Sequence, residues 1–131
     1  MYERIFNYYV IWQGGGDDVD SILTSVKKVL GIKEEYEHFD ADIIMHINTV
    51  FMILNQMGIG DGSFTIQDKD AIWTDYLENG PKLEMVKTYV SAKVKMVFDP
   101  PSSSVLSEAY NKVIQELEWR LNYEYETHKE V

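Results

Sequence analysis

Residues 39–58, Phe-Asp-Ala-Asp-Ile-Ile-Met-His-Ile-Asn-Thr-Val-Phe-Met-Ile-Leu-Asn-Gln-Met-Gly, decide the fold. Ile43, Ile47, Val50, Leu54 and Met57 recur at helical spacing, and Ile44 and Phe51 widen the stripe. Asp40 is placed to cap this helix, and Phe39 before it to staple against Ile44. Gly58 is the stop. The far face is polar through Asn48, Thr49, Asn55 and Gln56, yet it carries Met45 and Met52, seven residues apart.

Upstream, the pattern predicts a helix from about Val19 to Leu30. Asp17, Asp18 and Asp20 crowd its start, Lys27 and Lys28 its last turn, and Gly31 follows as a left-handed stop. Before it, residues 1–13 are dense in aromatic and β-branched side chains, and Gly14-Gly15-Gly16 break whatever precedes them. The chain thus divides into an aromatic arm with its glycine joint (residues 1–16) and a single helical domain (residues 17–131). Such a sticky arm belongs against apolar surface, on its own domain or laid on a neighbouring subunit.

Downstream, residues 58–67 read as a loop, with an extended piece at Phe64-Thr65-Ile66. Asp68 or Asp70 can cap a short third helix through Ala71, Ile72, Trp73 and Leu77. Asn79-Gly80-Pro81 is a stop and then a start. The next helix, 81–98, has two apolar faces: Leu83, Val86, Val90, Val94 and Val97 on one, Met85, Tyr89, Ala92 and Met96 on the other. Such a helix is central in its bundle or shared with another chain. Asp99-Pro100-Pro101 ends it. A last helix of about 104–126, roughly 35 Å long, has the stripe Leu106, Tyr110, Val113, Leu117 and Leu121. Trp119 and Tyr123 lie off that stripe, beside Lys112 and on the side of Val105. The reading is all-α: a small bundle of four to five helices with a long C-terminal helix, plus the extended aromatic arm.

The 131 residues suit one domain, and 45% hydrophobic with 26% charged residues is ordinary globular composition. The formal net charge is -10, from 22 acidic against 12 basic residues, so a domain built to grip DNA is disfavoured. The absence of cysteine removes disulfides, thiolate zinc sites and cysteine nucleophiles. No apolar run approaches the roughly 20 residues of a membrane span, and the start lacks the pattern of a signal peptide, so an unprocessed intracellular protein is the expectation.

The chemical motifs fail one by one. Asp42 and His46 share a helix face, but no third ligand accompanies them. His38 and His128 read as solvated. Asp61-Gly62-Ser63-Phe64-Thr65 begins like a calcium loop, but Ile66 stands where the turn glycine belongs and Ile72 where the bidentate glutamate belongs. Gly14-Gly15-Gly16 precedes two aspartates, which would repel phosphate. No catalytic, cofactor-binding or metal residue is assigned, and no enzyme is expected. Lys87, Lys93 and Lys95 lie in a segment free of acids but flank its apolar stripe on different sides, as a solvated face does. What remains is surplus apolar surface: Tyr8, Tyr9 and Trp12 of the arm, Met45 with Met52, Met85 with Tyr89 and Met96, and Trp119 with Arg120 and Tyr123. These are the candidate interface residues of an assembling protein.

From about Asp20 to Glu126 the chain resembles the head–tail connector proteins, also called adaptor or head-completion proteins, of long-tailed phages and prophages of Gram-positive bacteria. The resemblance lies in Ser25-Val26-Lys27-Lys28-Val29-Leu30-Gly31-Ile32, in Phe39 to Asn48, and in the Phe64, Trp73, Tyr76-Leu77 stretch. It continues in Val86-Lys87-Thr88-Tyr89-Val90 leading to Phe98-Asp99-Pro100-Pro101-Ser102, and in Glu116 to Asn122. The arm departs from it. The resemblance implies a structural virion protein of the neck, assembled in the host cytoplasm. It would form a homo-oligomeric ring, commonly a dodecamer, under the portal protein, meet a neck or tail-completion protein, and let DNA pass without specific binding. It implies no cofactor and no membrane. Glu34, Glu35 and Glu37, with Asp61, Asp68 and Asp70, are then candidates to line the lumen and repel DNA. The competing reading is a small phage-encoded regulatory or nucleic-acid-binding helical module.

Overall fold

The computed structural model describes residues 20–129, with side chains described through Tyr123. The arm, its glycine joint, Asp17 and Asp18 lie outside these residues. Four α-helices follow in order: α1 (Ile22–Leu30), α2 (Asp40–Gln56), α3 (Pro81–Phe98) and α4 (Ser104–Lys129), with a single 3-10 turn, Trp73–Asp75, between α2 and α3. The fold is the all-α bundle that the periodicities predict.

Helix α3 is the centre. It touches α1, α2, α4 and the 3-10 turn, as its two apolar faces require. Leu83, Val86, Tyr89, Val90, Ala92 and Val94 are all buried. From α1 come Ile22, Leu23, Val26 and Leu30, and from α2 Ile43, Ile47, Val50, Phe51 and Leu54. Helix α2 presents the stripe read from its sequence, and α3 spans the predicted residues with Pro81 at its start.

Several expectations are corrected. Helix α1 begins at Ile22, and its cap is Ser21, whose hydroxyl accepts from the Thr24 N–H at 3.2 Å. An acidic crowd near a start is a weaker signal than a side chain that reaches an orphan amide. Asp40 does not cap α2: it is the first helical residue and its carboxylate turns to Lys27. Lys27 stands in the last turn of α1 as read, and there it is buried. Asn48 is not simply a surface residue. Its amide donates to the Ile66 carbonyl at 2.9 Å, and its oxygen accepts from the Ile66 N–H at 2.8 Å. One side chain thus holds the extended piece of the 58–67 loop as a sheet neighbour would.

The predicted third helix is a 3-10 turn. Asp75, not Asp68 or Asp70, accepts from the Ile72 N–H, and Asp68 closes a local turn onto the Asp70 N–H. The chain just before the turn is held extended, because the Ile22 N–H donates to Ala71 O and the Trp73 N–H to Asp20 O. Val97 is 62% exposed and leaves the α3 stripe. Among the described side chains of α4, Ala109, Tyr110, Ile114 and Leu121 are buried, and Leu106, Val113 and Leu117 are half-buried. The buried face of α4 is therefore rotated toward Ile114. Ser103 supplies its N-terminal cap, accepting from the Leu106 N–H at 3.3 Å. No helix among the described residues is long and apolar enough to cross a membrane.

Candidate functional site

The surplus apolar residues divide between surface and interior. Met45 and Met52 stand out from α2 with 58% and 62% of their surface exposed. On α4, Trp119 and Tyr123 are 63% and 59% exposed, yet their rings stack at 5.6 Å and 17°. The i,i+4 spacing places the rings one above the other on the helix, so they form a preformed flat plate. Arg120 beside them reaches back to Glu116 at 3.7 Å. Val97, Val105 and Tyr36 are also exposed, and the sequence reading did not single them out as contacts. Tyr8, Tyr9 and Trp12 lie outside the described residues.

The other candidates turn inward. Met85 and Met96 pack half-buried against the core, and Tyr89 is fully buried. The second face of α3 is thus covered by α4 within the subunit. Tyr89 donates its hydroxyl to Glu118 at 2.8 Å, and Lys93 stands 3.9 Å from the same carboxylate and 5.9 Å from the Tyr89 ring centre. This polar group joins α3 to α4 through an otherwise apolar seam. Spacing within one helix cannot reveal it, because the carboxylate comes from the next helix.

Burial first, then the hydrogen bond to Glu118 and its charge, hold the Tyr89 hydroxyl well above its ordinary ionisation range. Burial, then the Asp61 charge, do the same for Tyr76, which donates to Ile59 O at 3.1 Å. Both groups have raised folded-state values. The stability they contribute is complete below the tyrosine's usual ionisation near 10. It falls as pH rises above that point, where the unfolded chain releases protons that the folded chain keeps. Denaturant midpoints measured from pH 8 to pH 11 are expected to drop, and the drop is expected to flatten in Tyr76→Phe/Tyr89→Phe. At pH 7, Tyr89→Phe alone should cost about 1–2 kcal/mol.

The charge pattern offers no basic face on α3. Lys87 pairs with Glu84 at 3.1 Å, Lys95 with Asp99 at 3.0 Å, and Lys93 lies by Glu118. The acidic candidates are all exposed. Glu34, Glu35 and Glu37 lie in the loop before α2, and Asp61, Asp68 and Asp70 lie in the segment after it. The 17 residues of α2 separate the two sets along the chain. Asp61 accepts from the Ser63 N–H at 3.1 Å, closing a turn. Among the described residues no three His, Cys, Asp or Glu side chains group as a metal site. His46 faces the Phe98 ring at 6.3 Å.

The polar group of greatest local consequence lies behind the first acidic set. The Lys27 ammonium is 2% exposed and donates to the carbonyls of Glu34 (2.9 Å) and Tyr36 (2.7 Å). Asp40 Oδ1 lies 2.8 Å away, as a charge contact not aligned as a hydrogen bond. The buried ammonium ties the acidic loop to α1 while its carboxylates project outward. The signal was present in the sequence: Lys27 falls on the α1 stripe with Leu23, Val26 and Leu30.

A family model described as "Phage connector protein" matches residues 22–128. No curated protein and no solved structure matches at a significant level.

Proposed function

The chain belongs to the phage connector protein family, and from that premise we propose that it is a head–tail connector subunit. Copies of it form a ring under the portal, extend the DNA channel, and offer a platform to a neck or tail-completion protein. The observation that carries this reading beyond membership is the pair of exposed apolar patches, Met45/Met52 and Trp119/Tyr123, on two different helices. A subunit that closes a ring needs two unlike patches, one for each neighbour. Large exposed side chains in such positions mark contacts.

The acidity fits the same reading. The two exposed acidic loops would face passing DNA without holding it, by like-charge repulsion. The pairing of Lys87, Lys93 and Lys95 with nearby acids speaks against a DNA-gripping module. Assembly would take place in the host cytoplasm before the neck joins the virion.

The mass of the purified protein in solution, alone and with portal protein, tests the reading. Self-association or portal-dependent assembly is expected, together with no salt-sensitive binding to short duplex DNA. Trp119→Ala should reduce assembly while changing folding stability by no more than about 0.5 kcal/mol, as for an exposed residue. Loss of helicity in that variant would instead make Trp119 part of the core.

A further inference from the structure

Helices α2 and α4 each carry an exposed seam, and the two seams match. On α2, Asp42, Met45 and Met52 are all exposed and lie on one side, at helical spacings of three and seven. On α4, Lys112, Trp119 and Tyr123 are all exposed and lie on one side, at spacings of seven and four. Most charged groups of the helices have partners close by: Lys87, Lys93, Lys95 and Arg120 each meet an acid, and Asp40 meets Lys27. Lys28, Asp42, Lys82, Glu108 and Lys112 have no ion pair among the described residues; of these, Asp42 lies on the α2 seam and Lys112 on the α4 seam.

We propose that the α2 seam of one subunit docks in parallel on the α4 seam of the next copy, with Asp42 against Lys112 and Met52 against the Trp119/Tyr123 plate. This inference rests on the connector reading and specifies which surfaces meet. The register follows from the numbering. With Asp42 beside Lys112, Met52 stands level with Asn122, one residue from Tyr123 and three from Trp119. The two spans rise equally, about 15 Å, so the charge pair and the apolar pair close together. A polarizable thioether against aromatic rings is a favourable contact, and the stacked pair needs no ordering on binding.

The occupant is a second copy because the complement is written in the same chain but cannot meet itself there. Helix α3 packs against both α2 and α4, whereas α2 and α4 scarcely touch each other. The two seams therefore do not pack on each other within the subunit. Their contact is head to tail, which closes a ring or runs on as a filament.

The natural chain has no cysteine, so cysteines placed in the full chain report without background. Met52→Cys with Tyr123→Cys should give, on mild oxidation, a ladder of disulfide-linked multimers. Each single variant should stay largely uncrosslinked, because the contact pairs unlike surfaces. Asp42→Lys and Lys112→Glu should each weaken self-association at least ten-fold by sedimentation, and Asp42→Lys/Lys112→Glu should recover most of it. A protein that self-associates normally but gives no ladder, and is indifferent to both charge changes, overturns the seam and leaves the connector reading standing. A wild-type chain that stays monomeric with and without portal overturns the seam and the ring together. Association lost in both single variants and not recovered in the double variant also rejects the pairing.

Discussion

Trp73→Ala is expected to produce the largest loss of stability of any single substitution in the 57–80 segment, about 3–5 kcal/mol. For a chain of this size that lowers the melting temperature by roughly 10–20 °C. The indole is 1% exposed and lies in an aromatic cluster. Phe51 is 6.4 Å from it and 4.7 Å from Tyr76, and Phe64 lies 5.0 Å from Phe51. Its N–H donates to Ser25 Oγ at 3.2 Å, and that hydroxyl donates in turn to Ser21 O. The side chain therefore joins the start of α1, the middle of α2 and the 3-10 turn. Truncation leaves a cavity that these elements cannot all close at once. Thermal unfolding followed by circular dichroism measures the loss. Trp73→Phe, which keeps most of the apolar volume, should cost less than half as much.

Lys27→Met is expected to cost nearly as much, about 3–5 kcal/mol, although it replaces a charge with an apolar residue of similar length. The substitution leaves the carbonyls of Glu34 and Tyr36 without their donor and strips Asp40 of its counter-charge. Asp40 is 24% exposed in its side chain, so solvent returns part of the loss and the lower end of the range is favoured. The damage should be local. Hydrogen exchange is expected to speed up at the amides of residues 32–39 well before those of α3. Lys27→Arg should not restore stability, since a planar fork cannot fill a site shaped for a compact ammonium. Uniform exchange throughout the molecule would contradict the local role assigned to this lysine.

Most of the fold was legible because the helices are amphipathic and sharply punctuated. Gly31, Gly58, Asn79-Gly80-Pro81 and Asp99-Pro100-Pro101 mark boundaries by backbone chemistry alone, and the α3 bounds follow from them. The weakest readings lie where side chains choose partners far along the chain. Asp40 could cap α2 on local grounds, but a buried ammonium attracts it more strongly. Residues 71–77 carry helix-compatible spacing, but pairing of Ala71 and Trp73 with residues 20–22 holds their start extended.

The candidate surfaces were legible in part for the same reason. Met45, Met52, Trp119 and Tyr123 fall off their helices' buried stripes, so spacing alone marks them as surplus. Tyr89 follows the same rule but is covered, and Met85 and Met96 are half-covered, because α4 packs across the second face of α3. Sequence by itself determines which face of each helix is apolar, where each helix stops, and that there is more apolar surface than one stripe per helix requires. Only the tertiary structure decides which of those surplus faces another helix of the same subunit covers. A second apolar stripe looks alike in sequence whether its partner is α4 or a neighbouring copy, since burial depends on what packs there, not on the residues' own spacing.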